Sequence, residues 1–286
     1  MSFSTDIKEE LSKISNLANK AYVKAEMYGY LSTNNIIEEK GCIKFSTESQ
    51  YNINRFGKLL NNLKIEKYNI NIIGKNFSVT ISKQESNLLK DIFNNYEIQE
   101  DDEHKAFIRG AFLGGGSINN PKNKYHLEII LKNLETAEKI INILHKYDIN
   151  FKILNSNKLN KYSIYLKDGE DISKFLAFIG ASKAVIKFEE IRVYRDMRNN
   201  VNRLVNCETA NLSKTVDAAI KQIEIINKLK ENGKFNELPY NLKELANLRI
   251  KNPEASLIEL GKMLKEPIGK SGVNYRMKKI LSEGKD

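Results

Sequence analysis

Apolar residues recur at helix and strand spacing in two successive stretches of the chain, residues 1–100 and 104–195, which repeat one pattern. Each copy opens with a helix and continues through a strand, a second helix, a pair of short strands and a closing helix. The opening helices are predicted over 20–32 and 106–113. The pattern therefore predicts an α+β domain made by duplication of an α-β-α-β-β-α unit.

The remaining elements of the two copies follow from the same periodicity. In the first copy they are a strand over 36–46, a helix over 51–63, strands over 69–73 and 77–81, and a helix over 85–93. In the second copy they are a strand over 124–132, a helix over 136–145, strands over 151–154 and 162–166, and a helix over 171–179. A further helix is expected over 184–197.

A polar stretch follows the duplicated region. The segment Arg198–Thr215 is rich in Asn and Arg, which favours a linker. An amphipathic helix is expected over Val216–Lys230, and Gly233 marks its end because glycine commonly follows the last helical turn. The predicted domains are a first repeat over 1–100, a second repeat over 101–197, a linker with its helix over 198–235, and a small domain over 236–286.

The small domain carries the signals of three short helices. The first ends before Pro253, because the residue ahead of a proline avoids helical geometry. Ser256 and Glu259 form a Ser-x-x-Glu capping box that opens the second helix. Pro267 and Gly269 mark a turn, and a third helix is expected over 271–281. The spacing predicts an all-α helix-turn-helix domain.

The third helix of this domain has a basic outward face. Its inner face is assigned by Val273, Met277 and Ile280, at i, i+4 and i+7. N-terminal residues of a recognition helix usually contact base edges, so the expected readers are Ser271, Asn274 and Tyr275. The expected phosphate contacts are Lys270, Arg276, Lys278 and Lys279. A solvated basic face with no ligand is the alternative.

The charge of the whole chain agrees with a nucleic-acid partner but does not decide the question. Lys and Arg number 46 against 36 Asp and Glu, which gives a net charge of +10. The abundance of Lys, Asn and Ile is also what an AT-rich genome imposes. A second basic group, Arg192, Arg195, Arg198 and Arg203, is a candidate second DNA contact, with plain surface charge as the equal alternative.

Several classes of protein receive no support from the composition. Cys42 and Cys207 form no CxxC pair, and the three histidines are widely spaced, so no metal, no cofactor and no disulfide is expected. No apolar run approaches the roughly 18 residues of a membrane span. The N-terminus lacks a secretory signal pattern, so the expected compartment is the cytoplasm and no membrane partner is expected.

The run Ile108–Ile118 resembles the signature helix of the LAGLIDADG homing endonucleases with its Gly-Ser exit, and Met27–Ile37 carries a fainter version. The resemblance aligns Gly29 with Gly110 and implies that the two helices pack closely. In those nucleases the carboxylate before the closing glycine holds a catalytic cation, but these former active-site positions here are Asn34 and Gly115. The resemblance therefore implies no catalytic residue.

Two features beside this motif have competing interpretations. The acidic residues Asp101, Asp102 and Glu103 fit the first turn of a helix, where the helix dipole favours negative charge, better than a metal site. The run Gly114-Gly115-Gly116 fits a flexible helix exit better than a phosphate-binding loop, because it ends a helix and does not start one.

A wider resemblance, covering nearly the whole chain, is to the WhiA family of bacterial regulators. It rests on Met1-Ser2-Phe3, on 109–117, on Asn119-Asn120-Pro121 and, most specifically, on the unusual run Arg192–Leu212. The resemblance implies a DNA-binding regulator without nuclease activity, associated with the nucleoid and acting in transcription, cell division, chromosome segregation or sporulation.

The partners that the resemblance implies are double-stranded DNA and a sigma factor or RNA polymerase. Two alternatives from other classes stay open. One is an active LAGLIDADG-type endonuclease, and the other is a protein-interaction scaffold whose repeats no longer contact DNA.

Overall fold

The structure is a computed structural model, and it describes residues 2–94, 96–156 and 161–284. Contacts between Cα atoms divide the chain into two compact units, Met1–Asp196 and Met197–Asp286. The first unit mixes helices and strands, and the second is helical, so the expected α+β class is confirmed. Among the described residues, no helix is long and apolar enough to cross a membrane.

The first unit contains two repeats of the same order of elements. The first repeat is α2 (Lys20–Leu31), β1 (Ile36–Glu39), β2 (Cys42–Thr47), α3 (Gln50–Asn62), β3 (Tyr68–Ile73), β4 (Asn76–Ile81) and α4 (Lys83–Phe93). The second repeat is α5 (Asp101–Gly115), β5 (Gly116–Ile118), β6 (Leu127–Leu131), α6 (Leu134–His145), β7 (Lys152–Ser156), β8 (Lys161–Leu166) and α7 (Gly169–Phe178). Each repeat thus follows the order α-β-β-α-β-β-α.

The predicted repeat lacked one strand in each copy. The segment expected as one strand over 36–46 is the hairpin β1–β2, which turns at Lys40 and Gly41 with φ of 51° and 81°. In the second copy, β5 follows α5 directly and pairs with β6, so that Ser117 lies opposite Glu128. The three residues of β5 are too few to show the alternation of apolar and polar positions that predicts a strand.

Each repeat forms one four-stranded antiparallel sheet. The strand orders are β1-β2-β4-β3 and β5-β6-β8-β7, so the two sheets are built in the same way. Side chains alternate between the faces of a strand, and the helices pack against one face of each sheet. Phe45 and Val79 of the first sheet and Ile129 and Ile164 of the second are fully buried. The sheets therefore enclose one core with the helices.

An additional helix, α1 (Phe3–Ser12), precedes the repeats and was not predicted. The hydroxyl of Ser2 caps it by accepting from the backbone N–H of Thr5 at 3.1 Å. Phe3, Ile7 and Leu11 lie on one face at helical spacing and are buried in the core. This spacing is a signal that sequence reasoning could have used.

A buried ion pair joins α2 to α3. The guanidinium of Arg55 donates to both carboxylate oxygens of Glu26, at 2.7 and 2.8 Å, and both side chains are almost fully buried. Arg55 also donates to the carbonyl oxygen of Ile14 and to Asn16, in the segment between α1 and α2. The guanidinium therefore ties this connection to the core, and every partner compensates for its desolvation.

The segment expected as a linker, Arg198–Thr215, is helical. It lies within α8 (Ser182–Glu231), a helix of 50 residues that also includes the two helices expected on either side. No glycine or proline occurs between residues 182 and 231, so nothing in the sequence breaks the helix. The polar composition of this segment is therefore not a loop signal. Asparagines on an exposed helix face need no buried partner, so a polar segment can be helical.

The second unit continues from α8 into a short 3₁₀ turn (Lys234–Glu237) and three helices, α9 (Tyr240–Lys251), α10 (Leu257–Met263) and α11 (Lys270–Glu283). Gly233 has φ of 76° and ends α8 as expected. The three helices enclose a separate small core, which includes Leu245, Leu260 and Met277. The predicted order of three short helices is confirmed.

Candidate nucleic-acid interface

Helices α2 and α5 pack side by side, and one glycine from each helix makes the contact possible. A Cβ atom on Gly110 would lie 1.9 Å from the carbonyl oxygen of Glu26, and one on Gly29 would lie 2.1 Å from the carbonyl oxygen of Phe107. Each glycine faces the residue three positions before the other glycine, so the duplication relates the two contacts. The expected alignment of Gly29 with Gly110 is confirmed.

The same relation continues to the C-terminal ends of both helices. Thr33 and Gly114 each come four residues after the glycine of their own helix, and a Cβ atom on Gly114 would lie 2.7 Å from the Thr33 hydroxyl oxygen. The next residues, Asn34 and Gly115, are therefore equivalent. Both approach one carbonyl, since the Asn34 N–H donates to the Ile130 oxygen at 3.3 Å and a Cβ on Gly115 would lie 2.5 Å from it.

Neither of these positions provides a carboxylate, since Asn34 carries an amide and Gly115 only a hydrogen. Hard divalent cations require several oxygen ligands, usually with at least one carboxylate. Within 2–94, 96–156 and 161–284, no group of three or more His, Cys, Asp or Glu side chains could hold a metal ion. The two positions at which the LAGLIDADG signature carries its carboxylates are thus degenerate in this chain.

The acidic residues before the motif form the first turn of α5, as predicted. Each carboxylate accepts a hydrogen bond from a tyrosine hydroxyl: Asp101 from Tyr147 at 2.7 Å, Asp102 from Tyr22 at 3.1 Å and Glu103 from Tyr96 at 3.3 Å. Hydrogen bonds from Lys105 and Tyr22 lower the pKa of Asp102. These carboxylates therefore anchor α5 to its neighbours.

The three consecutive glycines form a helix exit, but a packed one and not a flexible one. Helix α5 ends at Gly115, and Gly116 begins β5. A Cβ atom on Gly116 would lie 2.3 Å from the ring of Phe112. The glycines are needed because the end of the helix is crowded, and no helix begins after them to hold a phosphate.

The helix-turn-helix is fixed by local contacts at its turns. Ser256 accepts from the backbone N–H of Glu259, and the Ser256 N–H donates to the Glu259 carboxylate at 2.7 Å, which lowers the pKa of Glu259. The predicted capping box is confirmed. In the next turn, the Ile268 N–H donates to the Gly261 oxygen at 3.2 Å, and a Cβ atom on Gly261 would lie 2.3 Å from the Ile268 oxygen.

A buried arginine that the sequence reasoning missed holds the first of these turns. Arg249, at the end of α9, is 1% exposed. Its guanidinium donates to the carbonyl oxygens of Ala255 at 2.7 Å, Pro253 at 3.3 Å and Asn252 at 3.4 Å. It therefore satisfies the backbone acceptors of the α9–α10 connection and sets the angle at which α10 begins.

Helix α11 presents the face that the sequence predicted. Its inner residues, Val273, Met277 and Ile280, are buried in the core of the second unit. The outward residues of the expected set are exposed, and Arg276 alone among them is partly buried. The exposed members are Lys270, Ser271, Asn274, Tyr275, Lys278 and Lys279. The structure therefore brings the expected readers and cations together on one helix.

Tyr275 stands out on this face because it is large, aromatic and 61% exposed. The ammonium of Lys279 lies 5.0 Å from the centre of its ring, a cation–π distance. On the same side of α11, Arg276 and Lys279 line a cleft together with Lys234 of the 3₁₀ turn. Lys234 is a third cation of this cleft that the sequence reasoning did not select.

The second basic group lies entirely on α8, but its members differ in what they contact. Arg195 donates to the carbonyl oxygen of Pro121 at 2.7 Å and stacks on the ring of Tyr125 at 4.3 Å. Arg192 forms an ion pair with Glu189 at 2.9 Å. Arg198 and Arg203 are exposed, and Arg203 bonds to Asn200 of its own helix. Arg192 and Arg195 therefore already have partners within the fold.

Comparison with known proteins agrees with both parts of this architecture. The family model described as "WhiA LAGLIDADG-like domain" matches residues 104–198, and the one described as "WhiA C-terminal HTH domain" matches residues 201–282. A Clostridium tetani protein named "Probable cell division protein WhiA" is 40% identical over 98% of this chain and 96% of its own length. This chain belongs to the WhiA family.

Other members of the WhiA family extend the comparison. A Clostridium botulinum protein of the same name is 45% identical over 77% of this chain and 72% of its own length. The crystal structure of full-length DUF199/WhiA from Thermatoga maritima is similar, with a TM-score of 0.63 and 29% identity, covering 100% of this chain and 98% of that one. The duplicated α+β domain is thus the LAGLIDADG-like domain of this family.

Proposed function

We propose that this member of the WhiA family is a sequence-specific DNA-binding regulator that does not cut DNA. The observation that carries the proposal is the outward face of α11, where the exposed cations and polar readers occupy one side of a helix seated on a helix-turn-helix core. Such a helix fits the major groove of B-DNA.

The residues of α11 are proposed to have two roles, which follow from their position along the helix and from their chemistry. Ser271, Asn274 and Tyr275 are proposed to contact base edges, because they lie in the N-terminal half of the exposed face. Asparagine pairs its donor and acceptor with adenine, and the tyrosine ring suits a thymine methyl group. Lys270, Arg276, Lys278 and Lys279 are proposed to hold phosphates, which gives a slope of about −4 for log affinity against log salt if all four take part.

Loss of the cleavage chemistry is supported by positions 34 and 115. With Asn34 and Gly115 in place of carboxylates, no divalent cation would be held beside a scissile phosphate. The exposed arginines Arg198 and Arg203 are a weaker proposal for a second DNA contact than α11, because Arg192 and Arg195 of the same group have partners in the fold.

The cellular process is proposed from the relatives. The curated relatives are named cell division proteins, so a role in cell division is proposed first, and transcription, chromosome segregation or sporulation are the finer candidates. A DNA partner places the protein at the nucleoid. A sigma factor or RNA polymerase is the proposed protein partner, which co-purification from the native cell would test.

Selection from a random duplex library tests the DNA-binding proposal. The full chain should enrich one short motif, and its affinity for that motif should exceed its affinity for scrambled DNA by at least a thousandfold, a typical specificity ratio. Supercoiled plasmid incubated with magnesium or manganese should stay intact. An unenriched library would refute the first part of the proposal, and metal-dependent nicking would refute the second.

A further inference from the structure

A polar cavity lies beside the degenerate centre of the first unit. It has a volume of about 670 Å³ and is bounded by α1 on one side and by β2 and β4 on the other. Asn35 and Gly116, the residues directly after the two former catalytic positions, also line it. The cavity therefore opens next to the place where homing endonucleases hold their cations.

Two lysines line this cavity. Lys8 comes from α1 and Lys44 from β2, and both are partly buried. Glu48 supplies the single carboxylate among the described lining residues, and no ion pair joins it to either lysine. The positive charge of the cavity therefore exceeds its negative charge by one.

Lys8 lacks a counter-charge within the fold. Across the described ranges, neither an ion pair nor a side-chain hydrogen bond involves its ammonium group, whereas Lys13, directly after α1, pairs with Glu9 at 2.6 Å. Burial lowers the pKa of Lys8 to about 8, because the charged form loses hydration that no acceptor replaces. A charge in this position is costly unless a ligand supplies the missing acceptor.

Hydroxyl groups line the same cavity as the two lysines. Ser4 and Thr5 line the cavity from α1, Ser46 and Ser78 from the sheet, and Ser117 from β5. Hydroxyls and ammonium groups together form the donor set that binds a tetrahedral oxyanion. A cation would have only one carboxylate as a ligand. An apolar ligand would leave the hydroxyl groups without hydrogen-bond partners.

We propose that Lys8, together with Lys44, holds a phosphate group in this cavity. The ammonium groups then supply the positive charge beside the phosphate. A backbone phosphate of DNA and the phosphate of a small molecule share this chemistry. Binding of a DNA phosphate in this cavity rests on the proposed function, and binding of a small-molecule phosphate does not.

Competitive lysine acetylation of the full chain, mapped by mass spectrometry, tests the proposal. Labelling is compared at about pH 8 with chloride alone, with inorganic phosphate and with the selected duplex. We expect phosphate or the duplex to lower acetylation of Lys8 at least fivefold, while the exposed Lys13, which directly follows α1, reacts equally in all three. Protection by the duplex alone identifies DNA, and protection by inorganic phosphate identifies a small ligand as a sufficient source.

A substitution gives a second readout. Lys8→Gln should reduce the salt slope of DNA binding by about one if DNA is the source, and Lys13→Gln should leave it unchanged. Unchanged labelling of Lys8 in both arms overturns the proposal, as does equal protection of Lys8 and Lys13. Lys278 and Lys279 report separately on the proposed function: if the duplex leaves them unprotected, the proposed DNA contact of α11 fails, and the phosphate arm still tests the cavity.

Discussion

Replacing Gly110 by alanine should strongly destabilise the first unit. The added Cβ would lie 1.9 Å from the carbonyl oxygen of Glu26 and 2.8 Å from its carbonyl carbon. Both atoms belong to the backbone of α2, so no side-chain rotation can relieve the overlap. The two helices would have to separate by more than 1 Å, since carbon–oxygen contacts shorter than 3.0 Å essentially never occur.

The magnitude follows from two opposing effects. Alanine favours the helix over glycine by about 1 kcal/mol. Overpacking a core costs about 1–3 kcal/mol when side chains can adjust, and more when backbones must move apart. The net loss in the free energy of unfolding should therefore be about 2–4 kcal/mol, a large part of the roughly 5–15 kcal/mol that holds a domain together.

Urea denaturation followed by circular dichroism measures this loss. With a slope of roughly 2 kcal/mol per molar urea, the midpoint should fall by about 1–2 M. Gly57→Ala is the matched control, because Gly57 is also buried in a helix and its Cβ would meet only the Tyr68 hydroxyl at 3.5 Å. The control should be neutral or slightly more stable. If the two variants unfold at the same urea concentration, close approach of α2 and α5 does not stabilise the fold.

Two further predictions concern other parts of the chain. Arg249→Met should lower the stability of the second unit by about 1–3 kcal/mol, because carbonyl acceptors of the α9–α10 connection lose their donor; Lys251→Met, exposed on the same helix, should change little in the same urea titration. Burial and the hydrogen bond to Asp101 raise the pKa of Tyr147 from 10.0 to about 12, so the folded state keeps a proton that the unfolded state loses, and stability from this group is lost as the pH rises through that window. Tyr147→Phe should unfold with a shallower pH dependence there, and an unchanged dependence would argue against the Tyr147–Asp101 contact.

Local signals in the sequence were enough for the helix-turn-helix. The capping box at Ser256 and Glu259 was correct to the hydrogen bond, and the spacing of Val273, Met277 and Ile280 gave the buried face of α11. These features depend on residues within about two helical turns of each other. The alignment of Gly29 with Gly110 had a different source, because it came from the resemblance of both segments to one signature motif.

Contacts between residues that are distant in the sequence could not be predicted. Lys8 and Lys44 are 36 positions apart in the sequence, and only the fold brings them to the same cavity. The burial of Arg249 could not be predicted, since its acceptors are backbone carbonyls that carry no sequence signal. The incorrect prediction of a linker within α8 had a different origin. The absence of glycine and proline from 182–231 is visible in the sequence, and it is a stronger signal than the polar composition.

Binding of selected and scrambled duplexes by Tyr275→Ala and Lys278→Ala tests the central claim most directly, that the exposed face of α11 reads DNA sequence. Tyr275→Ala should lose base preference at one or two positions of the selected motif, at a cost of about 1–3 kcal/mol for that motif alone. Lys278→Ala should weaken binding to both duplexes equally and reduce the salt slope by about one. Full base preference in Tyr275→Ala, with binding weakened equally on every sequence, would contradict the account.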